Sequence, residues 1–405
     1  MNEVRALIEA FDEACASGVR CALATLVSVE GSSYRRPGAR MLVREGGAST
    51  GTISAGCLEG DVVEHARRVI RTGEAVLVEY DTASTGEEMA WGLGLGCNGI
   101  VRVLVEPLAP ESLYAAALRR SCASASDAAA SSVATVYEST PSPSADAAES
   151  VEIGSRLFVG EDGEVVCEKL NGGLARLIET DVRASAREGS SGVRVYELEG
   201  RTVKVFFETL APPVPLVVFG AGQDALPIVE LARGLGWLTE VVDPQARDAS
   251  RARFASADAL TLARPEEVAG RVRVTPRTLA LLMTHNYSHD LALLRFLLAS
   301  PARYVGVMGP RKRTERMLRE LAEADATFRL EESDRSRLYA PAGLDIGANA
   351  PAEIALSIIA EMRAVLEGRG GGMLRERRGS IHGRLSDGEG VPLLETDART
   401  VASAS

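Results

Sequence analysis

The sequence predicts an α/β protein in two parts, an N-terminal pseudo-duplicated α+β domain followed by a doubly wound parallel-sheet domain. Three observations predict this. A degenerate repeat runs through the first half. A joint at Pro212-Pro213-Val214-Pro215 separates the halves, because proline fixes φ and stiffens a linker. Directly after it, a short apolar run leads into the turn Gly220-Ala221-Gly222.

The repeat defines the first domain, residues 1–211, with copies at about 20–110 and 130–211. Ala24-Thr25-Leu26-Val27 is echoed by Ala134-Thr135-Val136-Tyr137. The run Gly38 to Val43 is echoed by Gly154 to Val159, and Val101 to Pro110 by Val203 to Pro212. Each copy reads strand, strand, helix, strand. A unit this small cannot close its own core, so two copies predict one pseudo-symmetric domain. Between them, Ser121 to Ser150 is rich in Ala, Ser and Pro, and part of it is expected to be a mobile surface loop.

The copies are unequal. In register, Cys57 falls opposite Gly173, and Glu59 opposite Ala175. Copy one also carries an extra loop before its last strand, from Trp91 to Gly99, which contains Cys97. Packing needs both copies, whereas chemistry can sit on one. Cys57, Cys97 and Glu59 are therefore the catalytic candidates, with the two cysteines as metal ligands.

Gly51 to Asp61 leads into a helix expected from Val62 to Arg71. A helix N-terminus favours a thiolate, and a thiolate can ligate a soft metal or carry sulfur. The plainer reading is two ordinary buried cysteines. Their glycine-rich settings and their absence from copy two favour function. Gly31 to Gly38 contains Arg35 and Arg36 and is either an anion-binding loop or a turn.

The second domain spans 212–369. Leu216 to Phe219 reads as a buried parallel strand. Gly220-x-Gly222-x-x-Ala225 follows, then a helix from Asp224 to about Arg233. Pro227 is tolerated in its first turn, which has no intrahelical amide bond to lose. Leu238 to Val242 is the next strand, and Asp243 ends it. An acid about twenty residues after such glycines is the usual ribose ligand. This strand–turn–helix–strand–acid order predicts a Rossmann-like domain with a nucleotide site at Gly220, Gly222, Gln223, Ala225 and Asp243, the plainer alternative being a Rossmann fold that no longer binds a nucleotide.

Two further strands, Thr278 to Met283 and Tyr304 to Met308, end in polar loops at the same crevice. The first loop carries His285 and His289. Four residues apart, these could share a metal, but no third ligand is evident. A strand-end polar group and a helix-start residue is the simpler reading. The second loop, Gly309 to Arg313, places Arg311 and Lys312 before a helix expected from Thr314, which suits a phosphate or a solvated basic helix start. Gly343 to Pro351 precedes a long helix from Ala352 to Leu366. The tail, 370–405, is expected to be poorly ordered.

Composition excludes other classes. A formal net charge of −11 argues against a nucleic-acid partner. No apolar run reaches membrane-spanning length, and the start Met1-Asn2-Glu3-Val4-Arg5 lacks a signal-peptide layout. A cytoplasmic location is expected. The six cysteines form no Cys-x-x-Cys pair, so free thiols are expected rather than disulfides or structural zinc.

Taken together, these motifs resemble the XdhC family. The resemblance rests on Gly31-Ser32-Ser33, on Pro37 to Val43, on Gly51 to Asp61 and on Gly94 to Cys97. In the second half it rests on Phe219 to Gly222, Val242-Asp243-Pro244, Thr284-His285, Gly309 to Thr314 and Gly343 to Gly347. It covers nearly the whole chain except the Ser121–Ser150 segment and the tail.

The resemblance implies an accessory protein of molybdenum hydroxylases such as xanthine dehydrogenase. It implies a maturation factor more than a stand-alone enzyme. Such a protein would hold the molybdenum cofactor, as molybdopterin or its dinucleotide form, assist its sulfuration and deliver it to the apoenzyme. A cysteine desulfurase and a second copy of the chain are the further implied partners. On this reading Gly220, Gly222, Arg311 and Lys312 take the phosphate or nucleotide end, and Cys57 and Cys97 meet the molybdenum or a sulfur donor.

Two positions depart from the family pattern. Gln223 stands where His is frequent, and Gln cannot act as an acid near neutral pH. Asn98 replaces the Gly that usually follows the second cysteine. The alternative from another class is an NAD(P)-dependent oxidoreductase, which Asp243 supports and for which His285 is the one acid/base candidate.

Overall fold

The computed structural model describes residues 2–31, 33–54, 56–81, 99–123, 130–141, 151–160, 162–189, 191–198, 201–245, 247–325, 327–377 and 399–400. The chain divides into two compact units between Pro212 and Pro213. Among the described residues, no helix is long and apolar enough to cross a membrane.

The first unit is the duplication. Copy one runs α1 (Asn2–Ala16), β1 (Cys21–Gly31), β2 (Arg40–Arg44), β3 (Ser49–Gly51), α2 (Glu59–Thr72), β4 (Val76–Asp81), β5 (Gly99–Leu108). Copy two repeats it as α3 (Leu113–Ala123), β6 (Ser131–Pro141), β7 (Arg156–Val159), β8 (Val165–Glu168), α4 (Gly172–Glu188), β9 (Gly192–Leu198), β10 (Arg201–Leu210). The sheets have matching orders, β3-β2-β1-β5-β4 and β8-β7-β6-β10-β9.

Each copy thus holds a leading helix and two more strands than the sequence pattern gave. The strands β3 and β8 are short and at most partly buried, so they leave no apolar alternation to read. Of the segment 121–150, part of which is expected to loop out, the described residues are the end of α3 and the stretch that forms β6, whose residues Ser131 to Tyr137 are all buried. Small residues at the centre of a sheet have the composition of a loop without its exposure.

Helix α2 presses Val62, Ala66, Val69 and Ile70 onto one sheet, and α4 presses Leu174, Ile178 and Val182 onto the other. The two copies meet through Val27, Leu104, Tyr137 and Phe206. They are also clamped reciprocally. Arg40 of copy one pairs with Glu208 of copy two, and Arg156 of copy two with Glu106 of copy one. Arg40 and Arg156 are equivalent in the repeat, as are the two glutamates. All four side chains are buried, and Tyr114 lies under both guanidiniums, 4.4 Å from Arg156 and 5.6 Å from Arg40. Burying these charges is tolerable only because each has a partner.

The second unit contains β11 (Pro215–Phe219), α5 (Leu226–Gly234), β12 (Leu238–Asp243), α6 (Ala249–Arg253), β13 (Ala259–Leu262), α7 (Val268–Arg271) and β14 (Leu279–Leu282). It continues with α8 (Tyr287–Leu298), β15 (Tyr304–Val307), α9 (Arg311–Ala324), α10 (Glu332–Arg337), β16 (Leu338–Tyr339) and α11 (Pro351–Leu366). The strands are parallel in the order β13-β12-β11-β14-β15-β16. This is the doubly wound Rossmann order, whose direction of winding reverses between β11 and β14. The strands β11, β14 and β15 are buried on both faces. One face is covered by α5 and α11, and the other by α8 and α9. Beyond Arg377, the expected tail lies outside the described residues except for β17 (Arg399–Thr400), a short strand beside β9.

Candidate functional site

Cys57 sits in the link between β3 and α2, and its side chain is exposed. The helix begins at Glu59, earlier than the expected Val62. The reason lies in a hydrogen-bonded loop. Ser54 Oγ accepts from the amides of Cys57 and Leu58, each at 3.1 Å, and from Gly56 at 3.3 Å. Glu59 then holds Ser54. Its Oε1 accepts from Thr52 Oγ1 at 2.5 Å and from the Ser54 amide at 2.8 Å, and its Oε2 from Ser54 Oγ and the Leu58 amide.

Burial opposes the charge on Glu59, but the hydrogen bonds from Ser54 and Thr52 outweigh it and hold the carboxyl at about 2. Its oxygens are committed to the loop, so it positions the Cys57 backbone.

Copy two has no such device. Helix α4 starts at Gly172, and neither Gly173 nor Ala175 offers an acceptor. Sequence comparison of the copies found Cys57 and Glu59 but missed Thr52 and Ser54. The overlooked signal was two hydroxyls spaced just ahead of an acid at a helix start.

Cys97 lies outside the described residues. Gly99, where the described residues resume, pairs with Gly31 at the end of β1. Arg35 is tied to Glu3 at 2.5 Å, and its guanidinium also feels the charge of Glu59. Among the described residues, no three His, Cys, Asp or Glu side chains converge as a metal centre. The described cysteines, Cys15, Cys21, Cys57, Cys122 and Cys167, are all free thiols.

In the second unit, the ends of four adjacent strands carry the remaining candidates. Gly220 ends β11 with φ +133, and a Cβ there would lie 2.4 Å from the Met283 carbonyl oxygen. Only glycine lets the β11 and β14 turns approach this closely. Gly222 and the exposed Gln223 continue the turn, which closes as a single 3-10 turn before α5. Ala225 is fully buried in the core under the turn, so its part is to let α5 pack on the sheet and not to touch a ligand.

Asp243 is also fully buried. Its Oδ1 accepts from the Gln245 amide at 2.9 Å. Its Oδ2 accepts from Ser250 Oγ at 2.6 Å and from the Arg247 amide and Nε, each at 3.2 Å. Burial works against its charge, but these hydrogen bonds prevail and keep the carboxyl below its ordinary range. The acid expected to bind a ribose is engaged here by its own loop. The carboxylate closes that loop with three donors on Oδ2 and one on Oδ1.

His285 stands at the end of β14 with φ +58, and Asn286 caps α8 by accepting from the His289 amide at 3.1 Å. His289 thus lies in the first turn of α8. The imidazole of His285 reaches Asp224, Nε2 to Oδ2, at 2.6 Å. Asp224 is the residue at this turn that sequence reasoning passed over. Its signal was an acid inside a turn that a phosphate would occupy.

At the end of β15, Gly309 with φ +111 and Pro310 start α9 at Arg311, three residues before the expected Thr314. Arg311 and Lys312 are both exposed in its first turn. Arg313 is committed elsewhere, pairing at 2.7 Å with the buried Asp290.

Residues 14–81 match the XdhC and CoxI family, and residues 216–362 match the XdhC Rossmann domain. The chain is 30% identical over 340 residues to a probable xanthine dehydrogenase subunit of Bacillus subtilis, covering 84% of this chain and 91% of that protein. It is 23% identical over 365 residues to the molybdenum cofactor insertion chaperone PaoD of Escherichia coli, covering 90% of this chain and 89% of that protein. A crystal structure of a xanthine dehydrogenase from Bacillus halodurans superposes with a TM-score of 0.68 at 28% identity, covering 89% of this chain and 96% of that one.

Proposed function

Because the chain belongs to the XdhC and CoxI family, we infer that it carries the molybdenum cofactor as cargo, assists its sulfuration and delivers it to a xanthine dehydrogenase-type apoenzyme in the cytoplasm. The observation that carries this reading is the one-sided loop of Cys57. An exposed thiol stands on a backbone fixed by Ser54 and Glu59, on one copy of a duplicated fold and not on the other. A thiolate suits molybdenum or a sulfur donor.

Arg311 and Lys312, exposed at the start of α9, supply cations for the phosphate end of the cargo. Cys97 is the second thiol in this reading. A cysteine desulfurase supplies the sulfur, and the working form is a homodimer.

The test is anaerobic purification from cells making the cofactor, followed by a cofactor assay on wild type and Cys57→Ala. A variant with markedly lower cofactor content supports thiol contact with the cargo, and equal loading sinks it. The nicotinamide oxidoreductase reading draws less support, because Asp243 is buried and engaged by its own loop.

A further inference from the structure

We propose that Asp224 is a resident carboxylate in the phosphate seat of the glycine turn and excludes dinucleotide pyrophosphates from it. In a dinucleotide-binding turn, the second glycine is needed because its missing Cβ lets the backbone approach the pyrophosphate. Beside Gly222 that space is already filled. A Cβ on Gly222 would lie 2.3 Å from Asp224 Oδ1. The chain's own anion stands where a ligand's anion would go.

The carboxylate is anchored from the neighbouring strand. Its other oxygen, Oδ2, meets His285 Nε2 at 2.6 Å. His285 adopts φ +58, a region uncommon outside glycine. Both flanking residues hold it there. Thr284 Oγ1 donates to Asp290 Oδ1 at 2.6 Å, and Asn286 is fixed as the cap of α8. The imidazole therefore projects from the β14 turn toward the β11 turn, across the point where the sheet reverses. His285 is a positioning residue for Asp224.

A pyrophosphate entering this turn would meet a carboxylate at contact distance, and such like-charge juxtaposition suppresses binding strongly. On the neighbouring strand, Asp243 is buried and accepts from its own loop. The glycine turn and the acid after β12 are thus both engaged by groups of the chain itself. This conclusion goes beyond the carrier reading and does not depend on the cysteine loop.

The test uses the full chain and ADP-ribose, a pyrophosphate dinucleotide without redox chemistry, in isothermal titration calorimetry. Asp224→Ala empties the seat, and Asp224→Asn keeps its volume without the charge. ADP-ribose is expected to bind Asp224→Ala at least about tenfold more tightly than wild type, with Asp224→Asn between them. His285→Asn is expected to give a smaller gain in wild type and none in the Asp224→Ala background, a dependence that a merely structural His285 would not show. If Asp224→Ala does not fold, the gain in Asp224→Asn decides. Wild-type binding as tight as that of the variants would overturn the proposal, and so would folded variants that gain nothing. Cofactor loading of Cys57→Ala is measured separately, so either reading can fail alone.

Discussion

Replacing Glu59 with Gln tests whether this residue organises the Cys57 loop. One carboxylate oxygen accepts from Thr52 Oγ1 and the Ser54 amide, and the other from Ser54 Oγ and the Leu58 amide. A Gln amide keeps one acceptor and turns the other into a donor. Whichever way it is flipped, two donors then face an NH2 group. Hydrogen bonds to a charged acceptor contribute about 1.5–3 kcal/mol each. Glu59 is only half-buried, and solvent screening reduces the net loss to about 2 kcal/mol.

The assays are urea unfolding followed by circular dichroism, and alkylation of Cys57 quantified on its own peptide. A lower urea midpoint and a severalfold change in the Cys57 rate are expected. The pH dependence has a definite sign. The folded carboxyl titrates at about 2 against an ordinary 4.5. Its contribution is therefore present above about pH 4.5 and lost as pH falls toward 2, so wild type and variant should converge in that window. Equal midpoints and equal alkylation rates at pH 7 would refute the reasoning.

Two further substitutions probe the scaffold. Gly220→Ala places a Cβ 2.4 Å from a backbone carbonyl at φ +133, and it should cost about 3 kcal/mol or prevent folding, read as the urea midpoint. Arg156→Met strands the buried Glu106 and should cost about 3–5 kcal/mol, whereas adding Glu106→Leu should recover much of it. Unchanged stability in the single variant would show that the reciprocal clamp is dispensable.

Much of the fold was legible because glycine and burial leave local marks. The turn at Gly220 and the apolar runs of β11 and β14 follow from the physics of close backbone approach and two-sided burial. The duplication was legible because equivalent core positions kept their residue types. The strands β3, β8, β13 and β16 were not, since runs of two to four residues that are at most partly buried leave neither a continuous apolar run nor a periodicity. The start of α9 was misread because Arg311 and Lys312 looked like loop residues, while Gly309 and Pro310 had already set the turn.

The site was legible in position more than in role. An acid at the end of β12 looks the same in sequence whether it faces a ribose or its own loop. Ser250 and Arg247, seven and four residues further on, decide which. Likewise Glu59 could be recognised as special to copy one, but its four donors come from a loop whose path the sequence did not disclose.

The duplicated frame and the added loop draw stability from different places. The frame rests on the outer cores under α2 and α4 and on the reciprocal pairs Arg40–Glu208 and Arg156–Glu106, which join the copies. The loop rests on Thr52, Ser54 and Glu59, and these bind its backbone, not its thiol. The side chain of Cys57 is exposed, so truncating it should change stability by less than about 0.5 kcal/mol. Cys57→Ala and Glu59→Gln therefore separate two roles that mutation of a single loop would ordinarily confound. If Cys57→Ala lowers cofactor loading at unchanged stability, the loss lies in the thiol's chemistry. If Glu59→Gln lowers it in proportion to loop disorder while Cys57 remains present, the loss lies in its placement. An asymmetric loop on a symmetric frame allows this separation, because the frame provides a folded reference that neither substitution touches.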